Sequence, residues 1–116
     1  MQRVNKVVYQ KLKAILPAGT KIYPAIAEND AEYPFVIYNM NSFSTDYDKD
    51  SDDRHCSYTI EIRSDNFDEC DGLADSIDLG LRGCIGAGVY SLIESGSSGY
   101  DNSYYQQLNF DIDIDG

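Results

Sequence analysis

The feature of this sequence that most constrains its fold is a proline-led run of aromatic and β-branched residues, Tyr33 to Met40. Nothing in the run favours a helix, and Pro34 can open a strand because a strand's first residue need not donate a ladder hydrogen bond. Successive side chains point to opposite faces, and both faces are apolar here: Phe35 and Ile37, opposite Val36, Tyr38 and Met40. The run therefore predicts a central strand over residues 34–41 that is covered on both sides.

Length and composition predict a single domain spanning residues 1–116. The chain is 42% hydrophobic and 12% aromatic, and a chain of this length buries about two thirds of its unfolded surface. It contains no run near the roughly 20 apolar residues that span a membrane, and no N-terminal secretion signal. We therefore expect a protein made and used in a cytoplasm, with no membrane partner.

Apolar residues at helical spacing predict two amphipathic helices. The first covers about residues 2–16 and ends before Pro17. The second runs to about Arg82. Ser64, Asp65 or Asn66 can cap its start, and Asn66 with Glu69 matches a capping box. Its predicted buried face consists of Phe67, Cys70, Leu73, Ala74, Ile77 and Leu81.

Further segments predict four strands besides the one at 34–41. They lie at 21–24, 55–64, 89–94 and from residue 104 onward. The connections at 42–53, 83–88 and 95–99 are expected to be a polar hairpin tip, a flexible glycine-rich link and a turn. The order α-β-β-β-α-β-β predicts an α+β fold in which both helices pack on one face of a mainly antiparallel sheet.

Two of the strands alternate clearly between an apolar and a polar face. The apolar residues are Cys56, Tyr58, Ile60 and Ile62 in one strand, and Leu108, Phe110, Ile112 and Ile114 in the last. The other face of the last strand carries three carboxylates: Asp111, Asp113 and Asp115. We expect this acidic face to contact solvent.

Charge is distributed unevenly along the chain. Five basic residues and no acidic one lie in the first 21 residues, so the net charge of −11 is the balance of +5 there and −16 in the remainder. A chain this acidic is not expected to grip nucleic acid by its phosphates. The asymmetry indicates charge-complementary packing, within one subunit or between subunits.

Both predicted helices carry a charged stripe at the offsets i, i+3, i+7 and i+10. The basic stripe is Arg3, Lys6 and Lys13, with Gln10 at the remaining position, and the acidic stripe is Asp68, Asp71, Asp75 and Asp78. A charged stripe is commonly a solvated face, but two stripes of opposite sign are also candidates for a subunit interface. Exposed pairs of this kind set register and partner choice more than stability.

The hairpin tip contains a candidate metal loop, because oxygen ligands at alternate positions can converge on one cation. The candidates are Asp46, Asp48, Asp50 and Asp52. The EF-hand pattern needs glycine at its sixth position and glutamate at its twelfth, where this chain has Ser51 and Ser57. We therefore expect a solvated acidic tip, with weak divalent-ion binding as the alternative.

No pattern of catalytic residues is found, and no cofactor is predicted. His55 and Cys56 are neighbours on a strand, so their side chains point to opposite faces and do not form a nucleophilic pair. Three widely spaced cysteines, Cys56, Cys70 and Cys84, predict reduced and mostly buried thiols rather than disulfides or a zinc site. A small enzyme that uses scattered carboxylates is the least favoured alternative.

The order of motifs resembles the tail-terminator, or tail-completion, proteins of long-tailed bacteriophages. The resemblance covers residues 1 to about 82. It consists of the first helix ending in Leu16-Pro17, then Lys21-Ile22-Tyr23-Pro24, Tyr33-Pro34-Phe35-Val36-Ile37-Tyr38, the polar hairpin, Tyr58-Thr59-Ile60-Glu61-Ile62-Arg63, and the second helix after Ser64-Asp65. The aspartate-dense hairpin and the glycine-rich 83–88 connection depart from the family pattern.

The resemblance implies a structural virion protein that forms a ring, commonly a hexamer, and assembles in the cytoplasm of the host bacterium. Such a ring caps the head-proximal end of the tail tube, stops its polymerisation and meets the head–tail connector protein. A ring needs two different complementary patches on each subunit, which the stripes can supply. The acidic face with Asp111, Asp113 and Asp115 is a candidate lining for a lumen through which DNA passes unbound.

Overall fold

The computed structural model describes residues 2–45, 54–86 and 88–114. These form α1 (Gln2–Ile15), β1 (Lys21–Pro24), β2 (Phe35–Thr45), β3 (Arg54–Ser64), α2 (Phe67–Gly80), β4 (Gly83–Gly86), β5 (Val89–Tyr100) and β6 (Tyr104–Ile114). The predicted order of helices and strands is confirmed, with β4 as one further short strand after α2.

The strands form a mixed sheet in the order β1-β2-β3-β6-β5-β4. Only β1 and β2 pair in parallel, and the remaining neighbours are antiparallel. The predicted α+β class is confirmed, and β2 is an internal strand between β1 and β3, although β3 and β6 occupy the centre of the sheet. Cover on both sides holds for part of β2: Val36 on the inner face and Phe35 on the other face are both buried, whereas Asn39, on the same face as Phe35, is exposed.

Both helices pack on one face of the sheet, which we call the inner face. α2 contacts β3 and β6, and α1 contacts α2 and the two edge strands β1 and β4. The sheet therefore curls around the helices as a half-barrel. The buried side chains form one cluster whose strand residues are Val36, Cys56, Tyr58, Ile60, Ile62, Ile85, Val89, Leu108, Phe110, Ile112 and Ile114.

Two glycines let α1 approach its neighbours closely. A Cβ at Gly80 of α2 would lie 2.6 Å from Cδ1 of Ile15, and one at Gly86 of β4 would lie 2.7 Å from Cγ1 of Val7. Heavy atoms do not approach so closely without displacement, so a larger residue at either position would have to displace the Ile15 or Val7 side chain of α1. These glycines are therefore part of the contact surface of α1.

The start of α2 is capped as predicted, with one change. The Asn66 side chain accepts a hydrogen bond from the backbone N–H of Glu69 at 3.0 Å. In a reciprocal capping box the glutamate would bond back to the Asn66 N–H. Here the Ser64 hydroxyl lies between them, accepting from the Asn66 N–H at 3.1 Å and donating to the Glu69 carboxylate at 2.7 Å.

Two glycine-containing segments form strand where none was predicted. The 83–88 connection contains β4, which pairs with β5, and Gly83 and Gly88 adopt positive φ at its two ends. The predicted turn at 95–99 instead continues β5 to Tyr100, after a register shift between Ile93 and Ser95. Its composition is typical of a turn, but pairing along β6 supplies the backbone hydrogen bonds that hold it extended.

Two of the three thiols are buried, as predicted for most of them. Burial raises the pKa of Cys56 and of Cys70, which keeps both protonated and unreactive. Cys84 is exposed on β4, where its Sγ donates to the Gly86 carbonyl at 3.0 Å. Neither helix in the described ranges is long and apolar enough to cross a membrane.

Candidate functional site

The face of the sheet opposite the helices, which we call the outer face, carries a chain of side-chain hydrogen bonds across four strands. Asn41 of β2 donates to the hydroxyl of Thr59 on β3 at 2.6 Å. Thr59 donates to Oδ1 of Asn109 on β6 at 2.8 Å, and Asn109 donates through Nδ2 to the hydroxyl of Ser95 on β5 at 3.0 Å. None of the four groups titrates near neutral pH, so this ladder orders a surface rather than performing acid–base chemistry.

One end of the outer face is organised by Arg63. Its Nε donates to Glu61 at 3.1 Å, and Nη1 donates to the Asp101 carbonyl and the Ser103 hydroxyl, both at 3.1 Å. The guanidinium carbon also lies 5.0 Å from the centre of the Tyr105 ring, within the range of a cation–π contact. Arg63 thus fastens β3 to the turn that joins β5 and β6, and its charge is balanced locally.

The other end of the outer face holds His55 between two carboxylates. Nε2 of His55 lies 2.7 Å from Asp111 and Nδ1 lies 2.6 Å from Asp113. The hydrogen bond to Asp113 raises the pKa of His55, burial opposes this, and the negative charges of Asp111, Asp113 and Glu94 reinforce it. Only the imidazolium can donate from both nitrogens, so the geometry favours the charged form.

These contacts locate the predicted lumen-facing aspartates. Asp111 and Asp113 both lie on the outer face, and Asp115 falls outside the described residues. Their bonds to His55 were not predicted from the sequence. The alternation of apolar and polar residues in β3 could have indicated this contact. It places His55 on the polar face, where the strand register pairs it with Asp113.

The basic stripe lies on the exposed side of α1. Arg3, Lys6 and Lys13 are all exposed, and Arg3, Lys6, Val7 and Gln10 line a shallow depression. Since Val7 is the residue that contacts Gly86, this depression borders β4 at the edge of the sheet. Lys6 and Lys13 form no salt bridge with any described carboxylate.

The acidic stripe lies on the flank of α2 that faces away from α1. Gly80 contacts Ile15 of α1, and Asp78 is two residues earlier, about 200° around the helix. Asp78 pairs with Arg82 at 2.8 Å, and Asp71 accepts from Gln106 of β6 at 2.9 Å. The two stripes therefore lie on different flanks of the helix layer.

Beside the acidic stripe, an aromatic cleft opens between the start of α2 and the β5–β6 hairpin. Its volume is about 250 Å³, and it is lined by Phe67, Cys70, Ser98, Gly99, Tyr100, Tyr104, Tyr105 and Gln106. The rings of Phe67 and Tyr100 meet the Tyr104 ring edge to face, with centres 5.7 Å and 4.9 Å away. The prediction that Phe67 is buried was wrong: its exposed fraction is 56%, because its ring faces the open cleft.

The predicted metal ligands Asp46, Asp48, Asp50 and Asp52 lie outside the described residues. Among the residues that are described, no three histidine, cysteine or acidic side chains are arranged to hold a metal ion. His55 and Cys56 lie on opposite faces of β3, as the alternation predicted, with Cys56 in the core.

No family model and no curated protein matches this sequence. Among solved structures, the fold is similar to a chain in the virion of a native gene transfer agent particle, with a TM-score of 0.68, 18% sequence identity, and 94% of this chain and 92% of that chain covered. It is also similar to a sheath/tube terminator of an extracellular contractile injection system, with a TM-score of 0.67, 15% identity and 96% of this chain covered. This chain spans about half of that terminator, 54% of its length.

The fold is thus that of a small α+β subunit found in assembled phage-like and injection-system particles. One of the two similar chains is described as a terminator, so the resemblance to tail-terminator proteins is confirmed at the level of the fold. At these identities the likeness concerns the fold, and the role of this chain is a separate inference.

Proposed function

We propose that this protein is a non-enzymatic tail terminator, a structural subunit that caps the head-proximal end of a phage-type tail tube. In this role it stops polymerisation of the tube protein and offers a surface to the head–tail connector protein. The observation that carries the proposal is the likeness to a sheath/tube terminator over 96% of the chain. The matched motifs of the first 82 residues support the same role.

We further propose that the subunits form a ring, with a hexamer as the expected size. A ring joins two different patches on each subunit. The stripes meet this requirement because they are opposite in charge and lie on different flanks of the helix layer. The interface candidates remain Arg3, Lys6 and Lys13 on one side and Asp68, Asp71, Asp75 and Asp78 on the other.

In such a ring the acidic end of the outer face is a candidate lumen lining, with Asp111, Asp113 and Asp115 facing the passage. Carboxylates repel phosphates, so DNA would pass without being held. Protonated His55 weakens this repulsion because it neutralises part of the local negative charge. The subunit, with residues 1–116 as one domain, would assemble in the host cytoplasm and remain in the virion at the head-proximal end of the tail.

Light scattering combined with tube growth tests the proposal. The protein is added to its tube protein during polymerisation, and tube lengths are measured by electron microscopy. We expect shorter tubes with extra density at one end, and a ring-sized species that loosens as salt rises. Tubes of unchanged length without end density would contradict the terminator role.

A charge-reversal pair tests the stripe interface. Lys6→Glu combined with Lys13→Glu should weaken ring formation, because both substitutions oppose the acidic stripe of the neighbouring subunit. Lys21→Glu is the matched control for each of the two substitutions. It makes the same change of charge at an exposed residue of β1 outside the stripe. Equal effects per substitution would indicate a general charge effect and argue against the stripe pairing.

A further inference from the structure

We propose that the aromatic cleft receives a lysine side chain from the basic stripe of a second copy of this chain. This inference rests on the ring proposed above and identifies the contact that joins its subunits. It would make the cleft the pocket of the interface and the acidic stripe its electrostatic rim.

The cleft is built to present aromatic surface rather than to bury it. Phe67 and Tyr100 are 56% and 67% exposed, yet both rings are held edge to face against Tyr104. Gly99 and Tyr105 also line the cleft, and a Cβ at Gly99 would lie 2.6 Å from the Tyr105 hydroxyl oxygen. The arrangement is a fixed set of ring faces and edges around an open space large enough for a side chain.

The charges beside the cleft favour a cation. Asp68 follows Phe67, and Asp71 accepts a hydrogen bond from Gln106 in the cleft wall at 2.9 Å. Asp101, which follows Tyr100, already pairs with Arg63 at 3.8 Å. Arg63 is the basic residue on the neighbouring outer face, and its contacts with Glu61, Asp101 and Ser103 already engage its charge. A cation over aromatic rings is attracted by their negative faces, and nearby carboxylates add to this attraction.

The basic stripe is the matching occupant within this chain. Lys6 and Lys13 are exposed and form no salt bridge with a described carboxylate. They are seven residues apart on α1, as are Asp71 and Asp78 on α2, so both pairs are separated by about 10 Å along their helices. A stripe laid along the acidic flank can place one lysine in the cleft while the other lies near a carboxylate.

One subunit is not expected to satisfy its own cleft. α1 packs on the Gly80 side of α2, whereas Asp71, which marks the cleft wall, lies on the opposite side of the helix. The occupant must therefore come from another molecule. A second copy supplies an identical basic stripe on the other side of its helix layer, which lets the contact repeat from subunit to subunit.

Paired substitutions test the energetic part of the inference. Phe67→Ala with Tyr100→Ala removes two exposed rings and spares the buried core, and it should raise the subunit dissociation constant about ten-fold. Tyr90→Ala is the matched control, because Tyr90 is an exposed aromatic residue at the far end of β5. If the aromatic rings and a lysine are in contact, adding Lys6→Ala or Lys13→Ala to the cleft variant should raise the dissociation constant by a smaller factor than the same substitution in the wild type. Full additivity for both lysines would overturn the inference.

A photo-crosslinker at position 100 identifies the occupant. In the assembled full-length protein, crosslinks from Tyr100→benzoylphenylalanine should fall on the α1 peptide that carries Lys6 and Lys13 of a second copy. Crosslinks to the tube protein, to another part of this chain, or to no protein at all would overturn the inference. If tubes are capped but α1 is not crosslinked, the terminator role is supported and the cleft contact is contradicted. If α1 is crosslinked but tubes keep growing, the cleft contact is supported and the terminator role is contradicted.

Discussion

The two faces of the central strands β3 and β6 differ in what holds their side chains. On the inner face, Tyr58 and Phe110 are fully buried under the helices. Contact with apolar neighbours fixes both rings, and the Tyr58 hydroxyl also donates to Asn5 of α1. On the outer face, Thr59 and Asn109 are only half-buried and are fixed by hydrogen bonds to each other and to the flanking strands. Tyr58 and Thr59 are neighbours in sequence, as are Asn109 and Phe110. The difference therefore arises from the side of the sheet to which each side chain points.

The two faces thus separate the residues that stabilise the fold from the residues that form a recognition surface. Burial of a large side chain contributes several kcal/mol, whereas a half-exposed hydrogen bond contributes about 1 kcal/mol because water competes for both partners. The inner face therefore carries the free energy of folding. The outer face, with its ordered donors and carboxylates, is available for recognition at little cost to folding if it changes.

The largest expected effect is on the inner face. Phe110→Ala should lower the free energy of unfolding by about 3–5 kcal/mol, since it removes a fully buried ring from the centre of the core and leaves a cavity. Urea denaturation followed by far-UV circular dichroism measures the change. Asn109→Ala, one residue away on the other face, is the control, and a comparable loss there would remove the distinction between the faces.

A second comparison involves two glycines of α2. Gly72→Ala meets no atom within 4 Å and should stabilise the protein by up to about 1 kcal/mol through helix propensity. Gly80→Ala gains at most the same propensity but pushes against Ile15, at a cost of about 1–3 kcal/mol. Thermal melts of both variants isolate the contact, because the propensity gain is shared. Equal melting temperatures would mean that α1 yields freely at this point.

The ladder on the outer face gives a smaller expected effect. Thr59→Val keeps the shape of the side chain and deletes the hydroxyl that joins Asn41 to Asn109. It should destabilise the fold by about 0.5–1.5 kcal/mol. Thr59→Ser, which retains the hydroxyl, serves as the reference in the same denaturation experiment. A loss above about 3 kcal/mol would place the ladder among the main determinants of folding.

The smallest expected effect is the titration of His55. Its folded pKa should lie above the ordinary 6.5, and Asp113→Asn should lower it because the strongest hydrogen bond to the imidazolium loses its charge. Because the folded pKa is raised, the contribution of His55 to stability is complete below pH 6.5 and is lost as pH rises through the raised value. Proton NMR of the imidazole measures the pKa directly. A wild-type value at or below 6.5 would contradict the bidentate arrangement.

Much of the fold could be predicted because its signals are local. The alternation in β3 and β6, the spacing of Val4, Val8 and Leu12 in α1, and the Asn66 cap each involve residues within a few positions of one another. The charged stripes likewise follow from helical periodicity alone. Such patterns state which face of an element is apolar, and the inner face of the sheet confirms them.

The errors occurred where composition and tertiary pairing disagree. Glycines and serines in 83–86 and 95–99 indicated a flexible link and a turn, but both segments pair with a neighbouring strand. Phe67 fits the apolar periodicity of α2, yet its ring lines the open cleft beside β5 and β6 and stays exposed. Periodicity gives the direction of a side chain and carries no information about what stands opposite.

The sequence by itself determined the helices, the dry faces of the central strands and the uneven distribution of charge. The tertiary structure decided the strand order, the seating of α1 against Gly80 and Gly86, the clamp on His55 and the aromatic cleft. The physical reason is the range of the interactions. Propensity and periodicity act within a few residues, whereas each of these contacts joins residues far apart in the chain, whose meeting depends on the register of the whole sheet.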